Sequence, residues 1–165
     1  GSHGISVQAV SLDVRKMIGR KDGIVRKMTK GIEFLFRKNK IVWLKGFGRL
    51  SGVGEGYYRV EVADGQASEV SEARNVIIAT GSKARHLPGI VVDNKLICDN
   101  EGALAFDTVP QRLGVIGAGV IGLELGSVWR RLGSEVTVLE AMPDFLAACD
   151  EAVSKECWKL FTKQG

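Results

Sequence analysis

The sequence predicts an α/β fold, and three features predict it. A glycine-rich turn, Gly117-Ala118-Gly119-Val120-Ile121-Gly122, follows a short apolar run and opens a helical one, the pattern of a βαβ unit. A long stripe of apolar residues at helical spacing lies near the start of the chain. Between the two, residues around Asp64-Gly65 alternate at strand period, the sign of an antiparallel hairpin.

The first element is a helix that Ser11 caps and Leu12 begins. Val14, Ile18, Val25, Met28, Ile32 and Leu35 form its stripe, and Gly19 and Gly23 mark a place for a break or kink. From Lys40 the period changes. Ile41-Val42-Trp43-Leu44 reads as a strand running into Gly46-Phe47-Gly48. Tyr58, Val60 and Val62 alternate with Tyr57, Arg59 and Glu61, and after the Asp64-Gly65 turn a return strand is expected near Glu69-Val70. Asn75 to Ala79 is a continuous apolar run ending in Thr80-Gly81-Ser82, the pattern of a buried parallel strand with a tight loop at its carboxyl end. A short helix is expected from Glu101 to Phe106. Then come a strand at Leu113–Ile116, a helix from Val120 to Leu132, a strand at Val136–Leu139 and a helix from Glu151 to Lys163. The boundary that best divides the chain lies near residue 109, giving segments 1–109 and 110–165.

Composition narrows the functional classes. The 165 residues are 45% hydrophobic and 25% charged, which excludes global disorder. No run approaches the roughly 18 apolar residues of a membrane span, so no membrane partner is expected. Glycine is in excess, 21 residues beside only 3 prolines, which points to turns and close backbone approaches rather than a linker. Residues 1–50 carry 12 Lys/Arg against 3 Asp/Glu, and the rest of the chain is net acidic. The basic residues fall mostly off the helical stripe, as on a solvated face, and no nucleic-acid motif accompanies them, so nucleic acid is not expected as a partner. Cys98, Cys149 and Cys157 are too few and too irregular for a disulfide framework or a zinc site, which favours a reducing, cytoplasmic setting. Gly1-Ser2-His3 reads as leftover cloning sequence, or Gly1-Ser2 alone if His3 is native. The pattern stops in mid-unit at Thr162-Lys163-Gln164-Gly165, and the expectation is an internal fragment.

The glycine turn carries the chemistry. Gly117 permits a tight strand-to-helix bend, Gly119 has no side chain to block a pyrophosphate, and Gly122 lets the helix lie close to the sheet. Val120, Ile121 and Leu123 open the helix, whose first N–H groups face a bound phosphate. Glu140, at the end of the second strand, is placed to accept both hydroxyls of an adenosine ribose and to repel a 2′-phosphate, which favours NAD over NADP. Glu124 has two readings on spacing alone, a favourable helix-start charge or a functional carboxylate. His86, alone in a loop, reads as solvated or structural, and Trp129 and Trp158 read as packing.

These stretches resemble the flavin-dependent pyridine nucleotide–disulfide oxidoreductase family, in particular its dihydrolipoamide dehydrogenase branch. The resemblance runs over His3-Gly4-Ile5, Leu12 to Met17, Thr29-Lys30-Gly31-Ile32, Lys45 to Arg49, Ile77 to Ser82, Gly102 to Ala105, Gly117 to Gly126 and Val136 to Glu140. It implies two cofactors. Gly46 and Thr80-Gly81-Ser82 match positions lining FAD; Gly117 through Glu124, together with Glu140, match the NAD site, with Glu124 near the nicotinamide. It also implies a fold, namely part of an FAD-binding domain (helix plus antiparallel β-meander) over 1–109, then an incomplete Rossmann NAD-binding βαβ unit over 110–165. The implied reaction of the parent enzyme passes electrons from protein-bound dihydrolipoamide to an enzyme disulfide, to flavin, to NAD. Its implied partners are a second subunit in a homodimer, a lipoyl domain as substrate and a 2-oxo acid dehydrogenase complex.

The departures limit what is carried over. The family's C-x-x-x-x-C disulfide has no counterpart here, nor have its first FAD fingerprint, its flavin-contacting Gly-Asp segment and its dimerisation domain with a His–Glu base. No catalytic residue is therefore assigned, and the chain alone is expected to be inactive. A standalone NAD-binding module, or another member of the family, is the alternative. An incomplete sheet also leaves an open edge, so self-association is expected.

Overall fold

The computed structural model describes residues 9–165; Gly1-Ser2-His3, Gly4 and Ile5 lie outside the described residues. The α/β class holds, with a long helix, an antiparallel three-stranded meander and a parallel βαβ unit. The chain divides into two compact units: Ile24–Lys83, and the residues up to Gly23 together with Ala84–Gly165.

Helix α1 spans Val14–Lys38, two residues later than expected. Asp13 rather than Ser11 starts it, accepting the N–H of Lys16 on Oδ1 at 2.9 Å. Gly19 and Gly23 do not break it. Both lie in open space, so each lowers helix propensity by about 1 kcal/mol without disturbing any packing. The helix ends in a left-handed turn at Lys40 (φ 55°). The N–H of Ile41 reaches the carbonyl of Phe36 and that of Lys40 the carbonyl of Arg37, so orphan carbonyls of the last turn are satisfied.

In the Ile24–Lys83 unit the expected strand at Ile41–Leu44 does not form. The segment carries an apolar sequence but pairs with no described strand; Trp43 packs edge-on to Phe36 at 6.0 Å and Lys45 lies over the Trp43 ring. The strand is displaced to β1, Phe47–Gly54, which pairs antiparallel with β2, Tyr57–Asp64, and β2 with β3, Ala67–Ala73. Glu55-Gly56 and Gly65-Gln66 make the two turns, each with its glycine at positive φ. Register is reinforced by charge. Arg49 stands opposite Glu61 and bonds it at 2.8 Å, and Arg59 stands opposite Glu72 and bonds it at 3.2 Å.

The run at Asn75–Ala79, expected as a buried parallel strand, is unpaired and mostly exposed, with Ile77 at 89% and Ile78 at 73%. A strand is a pairing as much as a sequence, and no described strand offers its backbone to this segment.

In the other unit, Asp93 gathers the N–H groups of Lys95, Leu96 and Ile97 on one oxygen, which draws its carboxyl below the usual range. Helix α2, Asn100–Ala103, is shorter than expected and is capped by Asp99. His86 approaches that same Asp99 at 3.5 Å, half exposed, which is a structural placement. The parallel pair β4 (Arg112–Ile116) and β5 (Glu135–Leu139) is bridged by α3 (Val120–Arg131), and α4 follows at Glu151–Lys163. Leu123, Gly126 and Trp129 form the buried face of α3. Trp129 also bonds the Ala103 carbonyl through Nε1 at 3.1 Å and lies 5.2 Å from the Phe106 ring. Trp158 packs edge-on to Phe145 at 5.2 Å.

Candidate functional site

The bend between β4 and α3 is shaped by its glycines. Gly117 has φ 103°, a conformation that side chains resist, and its N–H donates to the Leu139 carbonyl at 2.7 Å. Gly119 is the extended residue before α3, and no side chain caps the helix there. A Cβ built on either Gly117 or Gly119 would meet nothing within 4 Å. Gly122 is the reverse case: a Cβ there would lie 2.5 Å from the Gly117 carbonyl oxygen and 3.0 Å from Val115. Two of the glycines leave room, and the third lets α3 approach the sheet. Gly126, one turn on, continues that close approach against Val115 and Val136. Sequence reading gave Gly126 no role, although its spacing of four from Gly122 was a usable signal.

Glu140 follows β5 directly. Its Oε2 accepts the N–H of Ala118 at 2.7 Å and its Oε1 the N–H of Met142 at 2.8 Å. These donors, Met142 first and Ala118 second, hold its carboxyl below the ordinary carboxylate value, so it is ionised at neutral pH. The structure thus brings the Gly117–Gly122 bend and Glu140 together. Val120 and Ile121 are exposed on the first turn of α3, Leu123 is buried beneath them, and Glu124 is exposed on the second turn. The backbone donors of Ala118 and Met142 had no signal in the sequence.

A dinucleotide fits this donor set. The bend has open space at its two outer glycines and a charged carboxylate fixed beside it.

The positions matched to FAD lie in the Ile24–Lys83 unit. Thr80-Gly81-Ser82 is an exposed turn with Gly81 at φ 71° and open space around it. Gly46 has φ 142°, and a Cβ there would collide with the Ala63 carbonyl. The close approach that demands glycine at 46 is therefore made by the chain's own β2. Of these positions, the Thr80–Ser82 turn has room for a ligand beside it.

Fold and bend together define an α/β protein with a glycine bend at the carboxyl end of a parallel strand pair and an acidic residue beside it. The chain belongs to the pyridine nucleotide-disulphide oxidoreductase family, whose model matches residues 3–165. It is 67% identical over 165 residues to a dihydrolipoyl dehydrogenase of Cupriavidus necator, covering 100% of this chain and 34% of that one. It is 49% identical over 162 residues to dihydrolipoyl dehydrogenase 3 of Pseudomonas putida, covering 98% and 34%. The chain thus spans about a third of the length of these relatives. Among solved structures, LpdA from Mycobacterium tuberculosis superposes with a TM-score of 0.82 at 23% identity, over 96% of this chain and 35% of that one, a likeness of fold. Members of the family use FAD and NAD. No described helix is long and apolar enough to cross a membrane.

Proposed function

We propose that this chain is the portion of a dihydrolipoyl dehydrogenase that carries the adenosine and pyrophosphate contacts for NAD, with Thr80-Gly81-Ser82 and Gly46 contributing to the FAD-lining region. The single observation that carries the reading is the Glu140 carboxylate held 2.7 Å from the Ala118 N–H, beside glycines with nothing over them. In this reading the domain division is 1–109 for the FAD-binding part and 110–165 for a Rossmann-type NAD-binding part. The bend and the start of α3 present N–H groups to the pyrophosphate, Glu140 accepts the ribose hydroxyls, and Glu124 lies toward the nicotinamide. When bound, NAD supplies hydride acceptance; this chain's residues bind and orient it. The parent reaction is the NAD-linked oxidation of protein-bound dihydrolipoamide, by a homodimer in a 2-oxo acid dehydrogenase complex. The three free cysteines lack the C-x-x-x-x-C spacing for thiol exchange, so the chain alone binds nucleotide without turnover.

Calorimetry of the full chain with NAD and NADP tests this. NAD is expected to bind, and NADP to bind roughly tenfold or more weakly because its 2′-phosphate meets a fixed carboxylate. In Glu140→Ala the preference is expected to narrow, through loss of NAD affinity. Equal affinity for the two nucleotides in the unaltered chain would overturn the reading.

The exposed apolar side chains and the outer edges of β4 and β5 also support self-association, with a second copy as the occupant. Light scattering is expected to show species above the monomer mass that grow with concentration; a single monomeric species at all concentrations contradicts it.

A further inference from the structure

We infer that Glu140 is the strut that sets the glycine bend, while acceptor capacity on its carboxylate stays available for a ribose. The second half of this statement rests on the nucleotide reading above; the first does not. An ionised carboxylate offers about four acceptor positions over its two oxygens. Here one position on Oε2 is taken by the Ala118 N–H and one on Oε1 by the Met142 N–H, and the Ala141 N–H adds a smaller attraction, which still leaves acceptor capacity on the carboxylate. Both donors are backbone groups on opposite sides of Glu140: one lies within the bend, the other two residues further along the chain. The carboxylate therefore ties two separate pieces of main chain together.

The tie matters because Ala118 is only 2% exposed. Its N–H has little access to water, and without the carboxylate it would be a buried donor with no acceptor. The neighbouring N–H, that of Gly117, is already bound to the Leu139 carbonyl. Two successive amides of the bend are thus fastened to two successive residues at the end of β5. One fastening is a backbone carbonyl that any sequence supplies, and the other depends on the side chain at 140. This arrangement holds Gly117 at φ 103° and ties the start of α3 to the end of β5. Glu140 is thereby a positioning residue for the bend in addition to its proposed contact with ribose.

The test is amide hydrogen exchange of the isotope-labelled 165-residue chain without nucleotide, followed residue by residue by NMR. In Glu140→Ala, the Ala118 amide is expected to exchange roughly tenfold or more faster, while Val115 and Val138 in the β4–β5 ladder keep their rates. If that variant loses protection throughout the ladder, Glu140→Gln carries the test. Glutamine presents an oxygen on one side only, so either Ala118 or Met142 must lose its acceptor and speed up. Unchanged rates at Ala118 in Glu140→Ala, or at both amides in Glu140→Gln, overturn the strut. Calorimetry with NAD on the same samples separates the two ideas. Faster Ala118 exchange with unaltered NAD affinity keeps the strut and removes the ribose contact; unaltered exchange with weakened NAD affinity does the reverse.

Discussion

Replacing Trp129 with alanine is expected to remove about 3–5 kcal/mol of stability, the range for deleting a large buried aromatic ring. Trp129 is 2% exposed, and its ring fills the space between α3 and Phe106. Its Nε1 also satisfies the Ala103 carbonyl that closes α2, so the change leaves a cavity and an unpaired acceptor together. Ordinary domains hold only about 5–15 kcal/mol in all, and the variant should unfold at much lower urea concentration. Trp129→Phe separates the two contributions, keeping most of the ring while losing the donor, and is expected to fall between the parent and the alanine variant. Urea titration followed by far-ultraviolet circular dichroism reads the midpoints. An unmoved midpoint for Trp129→Ala would mean that α3 is not held by this side chain.

Gly122→Ala is expected to cost about 1–3 kcal/mol and to abolish nucleotide binding, although it adds a single methyl. That methyl would sit 2.5 Å from the Gly117 carbonyl oxygen and 3.0 Å from Val115, so either α3 lifts from the sheet or the bend opens. The first atom is backbone and cannot turn aside, which is why the smallest side chain already does the damage. Gly114→Ala is the control: a Cβ there meets nothing within 4 Å, and both stability and binding should be nearly unchanged. If the two variants behave alike in urea titration and in calorimetry with NAD, the close approach of helix to strand is not what Gly122 provides.

The sequence and the structure agree best where the signals are local. The helix at Glu151–Lys163 begins where Asp150 caps it, and β4, α3 and β5 fall within a residue of their expected limits, because caps, glycines and periodicity mark each end. The same holds for the second turn of the meander, announced by Asp64-Gly65. Agreement fails where pairing decides. Ile41–Leu44 and Asn75–Ala79 are the most strand-like runs in the first half of the chain, yet neither finds a partner among the described strands. Phe47–Gly54, with three glycines in eight residues, reads poorly as a strand and becomes one because β2 and the Arg49–Glu61 pair hold it there. At the candidate site, the glycines and Glu140 were readable because each is a side-chain choice. The fastening of Glu140 to Ala118 and Met142 was not, since backbone donors look the same in every sequence.

The open stretch around Ile77 and Ile78 has a consequence for how long the molecule survives. Proteases grip their targets as straight, fully accessible chain, and molecular chaperones seize greasy segments of just this length. Exposed, unpaired backbone needs no global unfolding before it is cut, so limited proteolysis of the 165-residue chain is expected to nick it here first.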